Sequence, residues 1–413
     1  MQRVTTASPL APFGVRSFRF QWPSDLFTSW AFEMETLILS WYVLIHTNSV
    51  FLLAVFGSLQ YIGTLFAPML GVVADKLPRR TVLYTLRAFF ALNAATMMTL
   101  AFAGMLNPVY VFALSALGGI VRPSDLVIRN SLIGDTIPSY CLTNAMGLSR
   151  TTADSARIAG ALVGAGLFSL LGVGPAFVVV TAFYATGYVL SLGVYKGRAV
   201  TGAPGVAALA GAPRSFGQDL KEGLVYVCKT PQVLALMLFA LLINLTAFPL
   251  SHGLLPYVAR EIYHLDSNGL AQLVAGFATG ALSASIIMAL VGGTRYSART
   301  AFLQGLIWYV LLLLFAHAGF KEAGIAVLVL IGMAQGFSML AVFIALLAHT
   351  EPSFRGRVMG VRSLAIYGLP VGLVVAGKLI ERIGYQATIT LYAVIGILFT
   401  LAIAYAWRKA VWE

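Results

Sequence analysis

Fifteen acidic and 27 basic side chains are spread through a chain that is otherwise strongly apolar, so the charges that fall inside apolar runs are where chemistry should be sought. An ionised group at mid-bilayer costs about 2.5–3.5 kcal/mol on insertion scales, and it is kept only with a partner, a wet cavity or a proton. In the first run Asp25, Ser29, Glu33, Thr36 and Ser40 follow steps of three and four and form one polar helical stripe. Glu33 lies near the middle of that run, where a carboxyl can load and release protons. Glu35 is two positions on, about 200° round the helix, and cannot share its face, but it stands as a second candidate coupling residue, with Arg122, Asp154 and Arg157 below. A matched pair of trios follows. Arg122, Asp125 and Arg129 are spaced by three and four, and Arg150, Asp154 and Arg157 by four and three. Each trio shares a face near one end of its helix, with Arg122 and Arg157 the deeper members. In antiparallel neighbours this predicts Asp125–Arg157 and Asp154–Arg122 pairs, acting either as a static network or as a gate. Later in the chain Asn244, His252, Gln335 and Ser338 stand in apolar runs. Asn244, His252 and Gln335, with Trp30, are candidate substrate contacts. No Cys/His/Asp cluster has ligand spacing, so neither a metal site nor a cofactor is expected.

These groups must be carried by membrane helices. The chain is 59% hydrophobic and 10% charged with mean hydropathy +0.87, whereas soluble domains are about 25% charged. Its 413 residues suit one polytopic bundle of about twelve spans of roughly 20 residues. Apolar runs fall at 24–46, 50–74, 82–104, 108–130, 145–171, 174–195, 232–257, 268–292, 301–318, 323–348, 362–381 and 386–407. The number and length of these runs exclude a buried soluble bundle. The net charge of +12 does not signal nucleic acid, because the basic residues come singly between apolar runs. They set orientation instead: Arg and Lys gather in alternate loops, which predicts both termini on the cytoplasmic side. Cys141 and Cys228 lie in predicted cytoplasmic segments, so no structural disulfide is expected. Met1–Phe20 lacks the apolar core of a removable signal, and the first span would serve for insertion. The long segment 196–231 is rich in Gly, Ala and Pro and then amphipathic through Phe216–Tyr226. It predicts a first half at 1–195, a central cytoplasmic loop at 196–231 and a second half at 232–413. A short internal match supports two halves: Met146-Gly147 and Met359-Gly360 lie 213 positions apart, as do Gly164 and Gly377.

Between the second and third runs stands Gly71-Val-Val-Ala-Asp75-Lys76-Leu-Pro78-Arg79-Arg80. This stretch resembles the loop 2–3 signature of the major facilitator superfamily of secondary transporters, with Lys76 for the usual Arg and Pro78 for a usual Gly. The resemblance covers the whole chain and implies an all-α membrane protein with twelve transmembrane helices in two six-helix halves. It also implies a latch of Gly71, Asp75, Arg79 and Arg80 that ties the cytoplasmic ends of the helices together when the transporter opens outward. Gly160, Gly164 and Gly166 resemble the family's glycine-rich fifth span, with Ala165 where the family has Pro, and would pack against the counterpart span of the other half. Arg157-Ile-Ala-Gly160 and Arg355-Gly-Arg357-Val-Met-Gly360 look like a bacterial exporter subgroup that includes the enterobactin exporter and macrolide efflux proteins.

Together these readings predict a monomeric, proton-coupled exporter of a small amphipathic organic molecule in the bacterial inner membrane, working by alternating access with Glu33 exchanging protons. Import or facilitated diffusion by the same fold is the nearest alternative, and a transporter-like assembly or lipid-handling factor is another. A membrane enzyme is not supported, because no polar catalytic constellation occurs at either face. The cargo is not written in the residues.

Overall fold

In hydrocarbon each backbone polar group must be satisfied within its own segment, and the apolar runs accordingly become helices. The computed structural model describes residues 10–64, 78–194, 216–291 and 298–409, and no strand occurs among them. In order the helices are α1 Arg16–Thr47, α2 Val50–Leu59, α3 Arg79–Phe102, α4 Pro108–Thr136, α5 Ser139–Leu171, α6 Val173–Leu192, α7 Phe216–Lys229, α8 Pro231–Thr246, α9 Ser267–Val291, α10 Ala298–Ala316, α11 Lys321–Ala348, α12 Arg355–Ala365, α13 Gly368–Ile383 and α14 Tyr385–Ala406. Helix α8 continues as far as Ile262 through two π-helical turns, Leu250–Leu254 and Val258–Ile262. Helices α12 and α13 form one long apolar stretch, Arg355–Ile383. Among the described residues ten helices are long and apolar enough to cross a membrane. The charged α1 and the short apolar α2 stand in the places of the first two predicted spans.

Local sequence explains the junctions. Asn107 caps α4 by accepting the Tyr110 amide, with Pro108 at the first helical position. Ser49 caps α2 by accepting the Leu52 amide. A single glycine at positive φ joins α5 to α6 (Gly172, 81°) and α13 to α14 (Gly384, 83°). A side chain would strain both turns.

The chain divides into two compact units, one of Met1–Leu39 with Ile62–Ala203 and the other of Ser40–Tyr61 with Pro204–Glu413. In the first unit α1 has partners from α3, α4, α5 and α6. Apolar packing there includes Val82, Leu83, Ile128, Leu132 and Val194, and a second group of Phe18, Ile133, Ile137, Cys141 and Ala145. In the second unit α2 packs on α13: a Cβ on Gly377 would stand 2.8 Å from that of Ala54, and Ser58 Oγ donates to the Pro370 carbonyl at 3.1 Å. Residues 40–61 are therefore grouped by packing with the second unit rather than by sequence order. Arg260, in the second π turn, donates to the Leu44 carbonyl at 2.8 Å and to Asn48 Oδ1 at 2.7 Å. Small residues again set close approach between α9 and α11, where a Cβ on Gly336 would come 2.7 Å from that of Ala284.

Candidate transport site

The most deeply buried charges of the first unit form a four-membered cluster. Arg87 of α3 has no exposed side-chain surface. Its Nη2 donates to Asp25 Oδ1 at 2.7 Å, its Nε to Asp125 Oδ1 at 2.9 Å, and its Nη1 to the Ser24 carbonyl at 2.9 Å and to Thr28 Oγ1. Arg129 completes the set, with Nε 3.2 Å from Asp25 Oδ2 and Nη1 donating to Ser29 Oγ at 3.4 Å. Two carboxylates thus face two guanidinium groups, which balances charge where desolvation would otherwise be prohibitive. The Arg129 carbonyl accepts from Gln21 Nε2 at 3.0 Å, fixing the start of α1 on α4.

Sequence reading missed Arg87. Its signal was an arginine inside the third apolar run, the same kind of signal that singled out Glu33. The structure also corrects the expected Asp125–Arg157 pair. Asp125 turns to α3 and Arg87, whereas Arg157 meets α1, with Nε 4.0 Å from Glu33 Oε1. The cause is the packing of α5. A Cβ on Gly160 would stand 2.9 Å from that of Glu33, and one on Gly164 3.0 Å from Met34 Cα. The small-residue face therefore lies on α1, and Arg157, one turn before Gly160, is carried to Glu33. This corrects the partner expected for that glycine face, which was the counterpart span of the other half. Gly166 takes no part, since a Cβ there meets no described atom within 4 Å. Arg122 places its guanidinium over the Phe32 ring. Arg150 is exposed on α5, and the Asp154 side chain lies outside what is described.

Glu33 and Glu35 occupy different surroundings, as their angular separation requires. Glu33 retains 21% side-chain exposure and Arg157 34%. Glu35 accepts a 2.7 Å hydrogen bond from the buried Tyr184 hydroxyl of α6. Beside them Trp30 and Phe27 bracket Phe183, with ring centroids 6.2 Å and 5.4 Å away, and the buried Trp30 Nε1 has no hydrogen-bond partner among the described residues.

Of the latch residues, Gly71 and Asp75 lie outside the described residues. Arg79 pairs with Asp135 at the end of α4, Nη1 to Oδ2 at 2.5 Å. Arg80 donates to the Leu192 carbonyl at the end of α6, also at 2.5 Å. Both arginines thus bind helix ends of their own unit.

In the second unit the first π turn of α8 gathers polar groups. His252 Nδ1 is 2.9 Å from Ser251 Oγ, which also donates to Gln335 Oε1 of α11 at 3.5 Å. Phe248 packs edge-on to both His252 and Trp308, at 4.8 Å and 5.1 Å between centroids, and Phe277 lies 6.2 Å from His252. A π turn adds a residue to the helical turn and commonly re-aims side chains at functional places. Asn244 instead donates its amide to Ala240 of its own helix at 2.8 Å, and Ser338 donates to the Ala301 carbonyl at 3.0 Å. Among the described residues no group of three or more His, Cys, Asp or Glu side chains converges as a metal site would.

Comparison with known proteins fits this arrangement of apolar helices enclosing paired charges. The family model described as transmembrane secretion effector matches residues 7–413. A multidrug efflux pump, Tap of Mycolicibacterium fortuitum, is 26% identical over 365 residues, covering 84% of this chain and 85% of the relative. Among solved structures, an inward-facing, unoccupied bacterial homologue of the human lysosomal transporter Spinster superposes with TM-score 0.73 at 13% identity, covering 96% of this chain and 98% of the other. The nucleoside transporter NupG does so with TM-score 0.70 at 14% identity, covering 95% and 98%. The chain belongs to the transmembrane secretion effector family and is a transporter of the major facilitator superfamily, a multi-pass membrane protein and not an enzyme.

Proposed function

We propose that this transporter exports a small amphipathic organic molecule across the bacterial inner membrane in exchange for protons, as a monomer with both termini in the cytoplasm. The observation that carries the reading is the contrast among the acids of the first unit. Asp25 and Asp125 are held by close guanidinium contacts, and Glu35 by a buried hydroxyl. Glu33 keeps a partly exposed carboxylate and a long 4.0 Å contact to Arg157. A proton added to Glu33 removes the charge that holds Arg157, and its loss restores the attraction. Occupied alternately by proton and by guanidinium, Glu33 links protonation to the position of α5 against α1.

The export direction rests on the likeness to a multidrug efflux pump. An amphipathic cargo suits aromatic rings beside a few polar groups: Phe27, Trp30 and Phe183 near Glu33, and Phe248, Phe277 and Trp308 near Ser251, His252 and Gln335. Asn244, bonded to its own helix, is the weaker candidate contact. Asp75, with Arg79 and Arg80, is proposed as the latch that favours outward opening.

Proteoliposomes loaded with a fluorescent lipophilic dye and given an imposed pH gradient test the reading. Dye movement coupled to the gradient is expected for the native chain and is lost in Glu33→Gln. Transport by Glu33→Gln with an unchanged pH dependence overturns the proton role, and dye that moves in the same direction as the protons overturns exchange.

A further inference from the structure

The amphipathic helix α7 has no part in this mechanism, and its two sides differ sharply. One side is committed to the protein. Glu222 Oε2 lies 3.4 Å from Arg357 Nη2, Tyr226 stacks on Phe354 at 4.4 Å, and Tyr226 Oη accepts the Glu351 amide at 3.1 Å. Gly223 sits so close to α12 that a Cβ would stand 3.0 Å from the Arg357 carbonyl, and Val227 is buried. The other side is exposed: Lys221, Leu224, Val225, Cys228 and Lys229, with Leu224 at 41% and Val225 at 44%.

Position identifies what covers that side. Thr230 alone separates α7 from Pro231, where the membrane span of α8 begins. One residue reaches at most about 3.6 Å, so Lys229 is held at the membrane boundary. Exposed Leu and Val flanked by lysines are the composition of a helix that lies in the interfacial plane, its apolar side chains entering the acyl boundary. The lysine stems follow them while the ammonium groups reach the phosphates.

We propose that α7 lies in the interfacial layer of the bilayer and binds anionic lipid headgroups through Lys221 and Lys229, with Leu224, Val225 and Cys228 facing the lipid. Because its opposite side grips Phe354 and Arg357, lipid bound at α7 steadies the start of α12. The proposal rests on α8 being a membrane span and is independent of cargo, direction and coupling ion.

Cys228 is exposed and Cys141 buried, so the full-length protein in liposomes can be labelled at Cys228 with bimane. Nitroxide lipids carrying the spin label near the headgroup are compared with aqueous iodide as quenchers, in phosphatidylcholine with and without phosphatidylglycerol. The lipid nitroxide is expected to quench more than iodide, and phosphatidylglycerol should widen the difference. Each of Lys221→Gln and Lys229→Gln should lower the lipid-facing ratio about fivefold, as the attraction of one lysine to an anionic surface implies. High salt should do the same. The native-chain lipid comparison needs no substitution and so survives a variant that fails to fold. Quenching by iodide without dependence on lipid overturns the proposal. So does protection from both quenchers, which would mean that a protein covers the helix. Either result leaves the Glu33 assay unaffected, so the two readings fail separately.

Discussion

Replacing Arg87 by Gln removes the cation at the centre of the buried cluster while keeping an amide of similar reach. Arg87 supplies two charge-assisted hydrogen bonds, to Asp25 and Asp125, and two further bonds to the Ser24 carbonyl and Thr28. Without it two carboxylates share one guanidinium, that of Arg129, which contacts Asp25 and not Asp125 among the described pairs. Breaking a buried pair in this way costs about 3–5 kcal/mol, because an uncompensated charge remains. For a unit of this size that corresponds to a melting temperature lower by about 6–20 °C. Asp125→Asn alone leaves the opposite imbalance and should also be costly. The double variant retains the neutral Arg129–Asp25 pair, so it should be more stable than the sum of the two losses by about 0.5–3 kcal/mol. Cys141 offers a direct assay. It is fully buried in the first unit, and with Cys228→Ser it is the sole thiol, so a thiol-reactive fluorogenic dye reports the melting of that unit. A single variant that melts within about 2 °C of the parent, or a double variant whose loss is the plain sum, would refute a coupled charge cluster.

The glycine contacts give a second test. Gly164→Ala forces a methyl to 3.0 Å from Met34 Cα and should cost about 1–3 kcal/mol in the same melting assay, while Gly166→Ala, with open space, should be neutral or gain up to about 1 kcal/mol. Tyr184→Phe removes the hydroxyl that donates to Glu35 and should cost about 1.5–3 kcal/mol, the worth of a hydrogen bond to a charged group, here a half-buried carboxylate; Glu35→Gln in that background should recover part of the loss, and no recovery would sever the assumed link.

How much of this was legible beforehand differs by level. The apolar runs marked the helices closely, because their length is dictated by bilayer thickness and their order by the chain. The third run, 82–104, became α3 at Arg79–Phe102, and the tenth, 323–348, became α11 at Lys321–Ala348. The π turns of α8 were not legible as such: Ser251, His252 and Gly253 mark a polar interruption of an apolar run, but composition does not say that the interruption adds a residue to the turn. The break between α12 and α13 did carry a signal, Gly368 and Pro370 just after it, which the apolar run 362–381 overrode.

Residue order alone determined that the chain spans a membrane, that Asp25 and Glu33 share a stripe and that Glu35 cannot join them, because helical angle is a function of spacing. Tertiary structure alone decided the partners. Spacing says which way a side chain points from its own axis and is silent about which helix stands opposite and at what height. Gly160 and Gly164 let α5 settle on α1, and that contact gave Arg157 to Glu33. The same packing left Asp125 to Arg87, an arginine that the third apolar run exposed as unusual but whose partners appear only when α1, α3 and α4 meet around it.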